Sequence, residues 1–146
     1  MTIKVCGITN REDAVAAVAC GATALGFNFY PRSPRCVAPE AAREMGAGLA
    51  VLKVGVFVNL APERVLEILR VANLDVAQLH GGEGPAEYPA GARVWKAVRV
   101  DGAFDMRAWE TCPAEALLLD GPSSGQSFDW RLAARALCMR AGSPKS

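Results

Sequence analysis

Six short apolar runs, separated by longer stretches with helical spacing, limit what this sequence can fold into. The runs are residues 3–6 (IKVC), 24–29 (ALGFNF), 52–58 (LKVGVFV), 74–79 (LDVAQL), 93–100 (RVWKAVRV) and 115–120 (EALLLD). Each has strand length and is rich in β-branched or bulky apolar side chains. Arg11 to Cys20 predicts a helix, with Asn10 or Thr9 as its N-cap and Gly21 as its stop. Pro39–Gly46 predicts a second, with Pro39 in the first turn. Pro62 to Val71 predicts a third, because Val65, Leu66, Ile68 and Leu69 recur at helical spacing. Gly and Pro around 84–89 allow only a short helix, 104–111 reads as a weak one, and 127–139 (SFDWRLAARALCM) as a sixth with Ser127 as cap.

Several runs are apolar on both faces, as parallel strands covered by helices must be. The strands begin about 19–28 residues apart, which suits β-α units. Two architectures fit: an open doubly wound sheet, or part of a (β/α)₈ barrel. With 146 residues, 51% hydrophobic and 21% charged, the expectation is one packed domain over 1–139 and a polar tail over 140–146.

Charge and cysteine usage exclude several classes of function. A net charge of +1 with no basic run argues against nucleic acid or an anionic membrane as partner. No apolar stretch approaches the roughly 20 residues that span a bilayer. Met1-Thr2-Ile3-Lys4 leads straight into a strand and shows no signal peptide. Five cysteines, with no C-x-x-C pair, point away from disulfides and structural zinc and toward a reducing, cytoplasmic setting. One histidine cannot build a multi-histidine metal site. Neither a GK[ST] loop nor a GxGxxG after the first strand is present, so no nucleotide cofactor is indicated.

Polar and reactive residues gather at or just past the ends of the strands: Cys6, Asn28, Asn59, His80, Arg99 and Asp120. In both architectures that edge binds ligands. Cys6 reads either as a small buried hydrophobe or as a thiolate, base or nucleophile, ahead of a helix N-terminus. Asp120 reads as a turn cap or as a general acid beside an apolar strand. Paired at one pocket, the two suit proton shuffling on a single small molecule. Arg32 and Arg35, in "YPRSPR", are surface charges or a guanidinium fork for a carboxylate or phosphate. His80, in "QLHGGE", is a satisfied polar residue or a group that orients substrate, and "GPSSGQS" (121–127) is a candidate anion cradle or lid.

The segments "KVCGITNREDA" (4–14), "GFNFYPRSPRCV" (26–37), "VGVFVN" (54–59), "LDVAQLHGGE" (74–83), "VWKAVRV" (94–100) and "LLLDGPSSGQSFDW" (117–130) resemble, in order and spacing, the phosphoribosylanthranilate isomerases of tryptophan biosynthesis. That resemblance implies a TIM barrel and a cofactor-free Amadori rearrangement. N-(5-phosphoribosyl)anthranilate becomes 1-(2-carboxyphenylamino)-1-deoxyribulose 5-phosphate. It also implies catalytic roles for Cys6 as general base and Asp120 as general acid. Arg35 would bind the anthranilate carboxylate, and His80 would lie beside the pocket with no firm chemical role. The partner is a phosphorylated small molecule.

The family's pattern continues with two further β-α units that help bind phosphate. Two units at this repeat need roughly 50 residues, whereas one helix and a polar tail follow Trp130. The fold expected is therefore an incomplete (β/α)₈ barrel: about six parallel units with the last two missing, open at the edges formed by the first and sixth strands. Such edges favour self-association. The alternative function is an impaired or inactive fragment of the isomerase, at most a non-catalytic binding domain. A flavodoxin-like binding module is a third reading, with no redox pair or phosphate loop to support it.

Overall fold

The computed structural model describes residues 1–101, 104–121 and Arg131. Six parallel strands form one sheet: β1 (Lys4–Cys6), β2 (Ala24–Asn28), β3 (Leu52–Phe57), β4 (Val76–Leu79), β5 (Val94–Arg99) and β6 (Ala116–Asp120). Three helices alternate with the first four strands: α1 (Arg11–Ala19), α2 (Pro39–Gly46) and α3 (Pro62–Ala72). Among the described residues, the connections after β4 and β5 carry only 3₁₀ turns, Pro85–Glu87 and Met106–Trp109. This matches the weak helical signal there, where Gly84, Pro85 and Pro89 break the period. The sixth helix expected at 127–139 and the tail at 140–146 lie outside the described residues.

Strand order and the placement of the helices decide between the two candidate architectures. The order across the sheet is the order along the chain, β1-β2-β3-β4-β5-β6. A doubly wound sheet reverses its strand order partway and covers both faces with helices. Here the buried helix residues Ala14, Ala42, Met45, Val65 and Ile68 join a single apolar cluster with Leu25, Phe27, Phe57 and Leu79 of the strands. The opposite face packs separately, with Ala24, Val54, Val76 and Trp95 buried against Leu52 and Leu118. One face against helices and one against itself is the plan of a (β/α) barrel. Among the described residues β1 pairs only with β2 and β6 only with β5, so the sheet is a curled partial barrel.

Local chemistry accounts for the helix ends. Asn10 caps α1: its side-chain oxygen accepts the Asp13 N–H at 2.8 Å. Pro39 and Pro62 open α2 and α3, where a missing N–H removes one of the unpaired donors. Asn73 ends α3 in the left-handed conformation at φ 53°. The Arg11 guanidinium donates to the carbonyls of Met45 and Ala47, tying the start of α1 to the end of α2.

Candidate active site

The carboxyl ends of the strands collect the polar residues singled out in the sequence. Cys6 closes β1 and Asp120 closes β6, so the expected base and acid stand on the two edge strands at the same rim. Lys4 and Cys6, two residues apart, share the inner face. Cys6 pairs with Gly26 on β2, and that glycine makes room for it: a Cβ on Gly26 would sit 2.8 Å from the thiol sulfur and 3.1 Å from the Cys6 Cα.

Arg35 reaches the same place from the β2–α2 loop. The Asn28 side chain accepts the Tyr30 N–H at 2.8 Å, the Val37 N–H returns to the Asn28 carbonyl at 3.0 Å, and Cys36 bridges Asn28. This doubles the loop back on the end of β2. The Arg35 side chain then lies over Gly7, where a Cβ would come within 2.6 Å of its Cδ and 3.0 Å of a terminal nitrogen. Gly7 is also at φ +80°, which a side chain would strain. The cation is thereby held one residue from Cys6. Arg32, its neighbour in "YPRSPR", is exposed in the same loop.

His80 follows β4, and its Nε2 lies 3.2 Å from Asp120 Oδ2; the two side chains are 41% and 57% exposed. A cleft of about 380 Å³ opens between them, lined by His80, Gly81, Ala97, Val98, Arg99 and Asp120. Arg99 and Asp120 sit opposite each other in register on β5 and β6. Cys6 with Arg35 and His80 with Asp120 thus form two groups on one rim.

Four site-supporting residues lie outside the sequence-based set. Gln78, 4% exposed on β4, contacts His80 and accepts from Lys4 Nζ at 2.6 Å. Glu83 and Lys96 form a buried ion pair at 3.0 Å, on the helix-facing side of β5. Lys96 also donates to the Gly81 carbonyl at 2.6 Å and, at 3.3 Å, to that of Leu79. Glu83 accepts the backbone N–H groups of Asn59 at 2.6 Å and Gly81 at 2.8 Å. Burial pushes the Glu83 carboxyl up, but hydrogen bonds from the Asn59 amide, its own amide and Lys96 outweigh it and leave the group below its ordinary value. This network fixes the loop that carries His80. The signal was present in sequence as single polar residues inside apolar strands, VAQL and VWKAVR, which are costly unless partnered.

Among the described residues no group of three or more His, Cys, Asp or Glu can hold a metal ion. None of the described helices is long and apolar enough to cross a membrane. Cys6, Cys20, Cys36 and Cys112 are free thiols.

Sequential parallel strands with helices on the outer face define the (β/α)-barrel class, here with titratable side chains at the carboxyl rim where such barrels bind ligands. The chain belongs to the N-(5'-phosphoribosyl)anthranilate (PRA) isomerase family, whose profile matches residues 3–140. The N-(5'-phosphoribosyl)anthranilate isomerase of Solibacter usitatus is 58% identical over 140 residues, covering 92% of this chain and 70% of that one. The phosphoribosyl anthranilate isomerase of Thermus thermophilus superposes with a TM-score of 0.88 at 44% identity, over 95% of this chain and 72% of that one. A further isomerase structure holds reduced 1-(o-carboxyphenylamino)-1-deoxyribulose 5-phosphate; it superposes with a TM-score of 0.81 at 39% identity, over 95% and 71% of the two chains.

Proposed function

We propose that this chain carries the acid–base half of the phosphoribosylanthranilate isomerase reaction of tryptophan biosynthesis, on a phosphorylated small-molecule substrate. One observation supports it above the rest: Cys6 and Asp120 end the two edge strands at one rim, the first beside Arg35 and the second beside His80. In this reading Asp120 protonates the furanose ring oxygen and the C1′–O bond opens to an iminium ion. The Cys6 thiolate removes the C2′ proton, and the pair of the broken C2′–H bond forms the C1′=C2′ double bond and neutralises the iminium to give an enolamine. Loss of the enol proton and protonation at C1′ complete the aminoketose. The Arg35 guanidinium clamps the anthranilate carboxylate through two parallel hydrogen bonds. The four free thiols among the described residues fit a reducing, cytoplasmic setting.

The test is growth. A tryptophan auxotroph lacking only this isomerase should grow without tryptophan when it expresses the chain, and fail with Cys6→Ala or Asp120→Ala. No growth with soluble wild-type chain would favour the non-catalytic alternative. That alternative draws on the absence of β1–β6 pairing among the described residues.

A further inference from the structure

We propose that Lys4, Gln78 and His80 form a hydrogen-bonded line across the inside of the sheet that fixes the tautomer of His80 against Asp120, making Lys4 and Gln78 positioning residues for the general acid. The line starts on the strand of the base, crosses at β4 and ends on the strand of the acid. Its link to catalysis rests on the reading of Asp120 as that acid.

The assignment follows from what each group can donate. Lys4 Nζ lies 2.6 Å from Gln78 Oε1. An ammonium has three donors and no acceptor, so the amide atom facing it must be the oxygen. That removes the ambiguity that ordinarily attends a glutamine amide. The Gln78 NH₂ then faces His80, with Nε2 3.2 Å from Nδ1. An NH₂ only donates, so Nδ1 must be the bare nitrogen. A neutral imidazole then carries its proton on Nε2. Nε2 is the nitrogen 3.2 Å from Asp120 Oδ2, so the N–H donates to that oxygen. With Oδ2 engaged as acceptor, Oδ1 is left to carry the transferable proton. Burial raises the stakes: Gln78 is 4% exposed on a strand otherwise apolar, and a buried amide is costly unless both ends are paired.

The chain has one histidine, so ¹⁵N spectra of the labelled protein contain one imidazole. In the wild type at a pH where the ring is neutral, Nε2 should be protonated and Nδ1 bare. A protonated Nδ1 would overturn the line directly. Free imidazole also favours the Nε2–H form, so variants carry the decision. Gln78→Glu puts an acceptor in place of the NH₂, and Nδ1 should gain a proton. Lys4→Met frees the amide to turn its oxygen toward the ring, and a share of Nδ1–H should appear. A bare Nδ1 in both folded variants would overturn the proposal. Should Gln78→Glu fail to fold, Lys4→Met and the wild type still decide it. Turnover that survives Asp120→Ala would instead overturn the acid reading, a failure seen in kinetics and separate from the nitrogen shifts.

Discussion

The roles proposed for Cys6, Asp120 and Arg35 can each be tested by a single substitution. For active protein, Cys6→Ala and Asp120→Ala are each expected to lower turnover on the order of 10²–10⁴-fold, the range for a general acid or base. Steady-state kinetics checks this, and near-normal turnover in either variant would remove that residue from the mechanism. Arg35→Lys keeps the charge over Gly7 but loses the planar fork that meets a carboxylate with two bonds. KM should rise while the fold is unchanged, and an unaltered substrate affinity would return Arg35 to the surface charges. The thiol has its place because residue 26 has no side chain. Any larger residue there would meet the sulfur and the β1 backbone together.

At the level of elements, the cap of α1 and the β4 loop set the frame for those residues. Asn10→Ala removes the acceptor for the Asp13 N–H and should cost about 0.5–2 kcal/mol, read from denaturant midpoints with unchanged slope. The β4 loop depends on Glu83. Its folded-state affinity for a proton is below the ordinary value of 4.5, so the unfolded chain takes up that proton first. The stabilisation it contributes is present above about pH 4.5 and is lost as pH falls through the lower folded value. Stability of the wild type should therefore drop on acidification through this window. Glu83→Gln should start less stable, because it leaves the Lys96 charge buried without its partner, and should show a shallower acid dependence. Equal slopes for the two proteins would show that another carboxylate dominates there.

Across the whole molecule, β1 and β6 each have one strand neighbour among the described residues. Ile3 and Val5 flank the β1 edge at 45% and 38% exposure. Edges of this kind pair with other chains unless covered or charged. Self-association that grows with concentration is the outcome expected from sedimentation velocity. A species that stays monomeric across a hundredfold range of concentration would contradict it.

Most of the element plan was legible in sequence because it is local. Apolar runs of strand length, Pro39 and Pro62 at helix starts and Asn10 as a cap are near-neighbour chemistry, and the strands at 24–28, 52–57 and 116–120 fall where that chemistry puts them. The alternation also placed Cys6, His80, Arg99 and Asp120 at the carboxyl rim of the strands. Local pattern could not choose between an open doubly wound sheet and a barrel. That choice lies in strand order and in which face the helices cover, both long-range properties. Nor could it show Lys4 meeting Gln78, or Lys96 meeting Glu83, because those contacts join residues from different strands and loops. A lysine in a strand reads alone as a surface charge. Only the folded sheet supplies the carboxylate and carbonyls that offset the cost of its burial, and only that arrangement turns Gln78 toward His80.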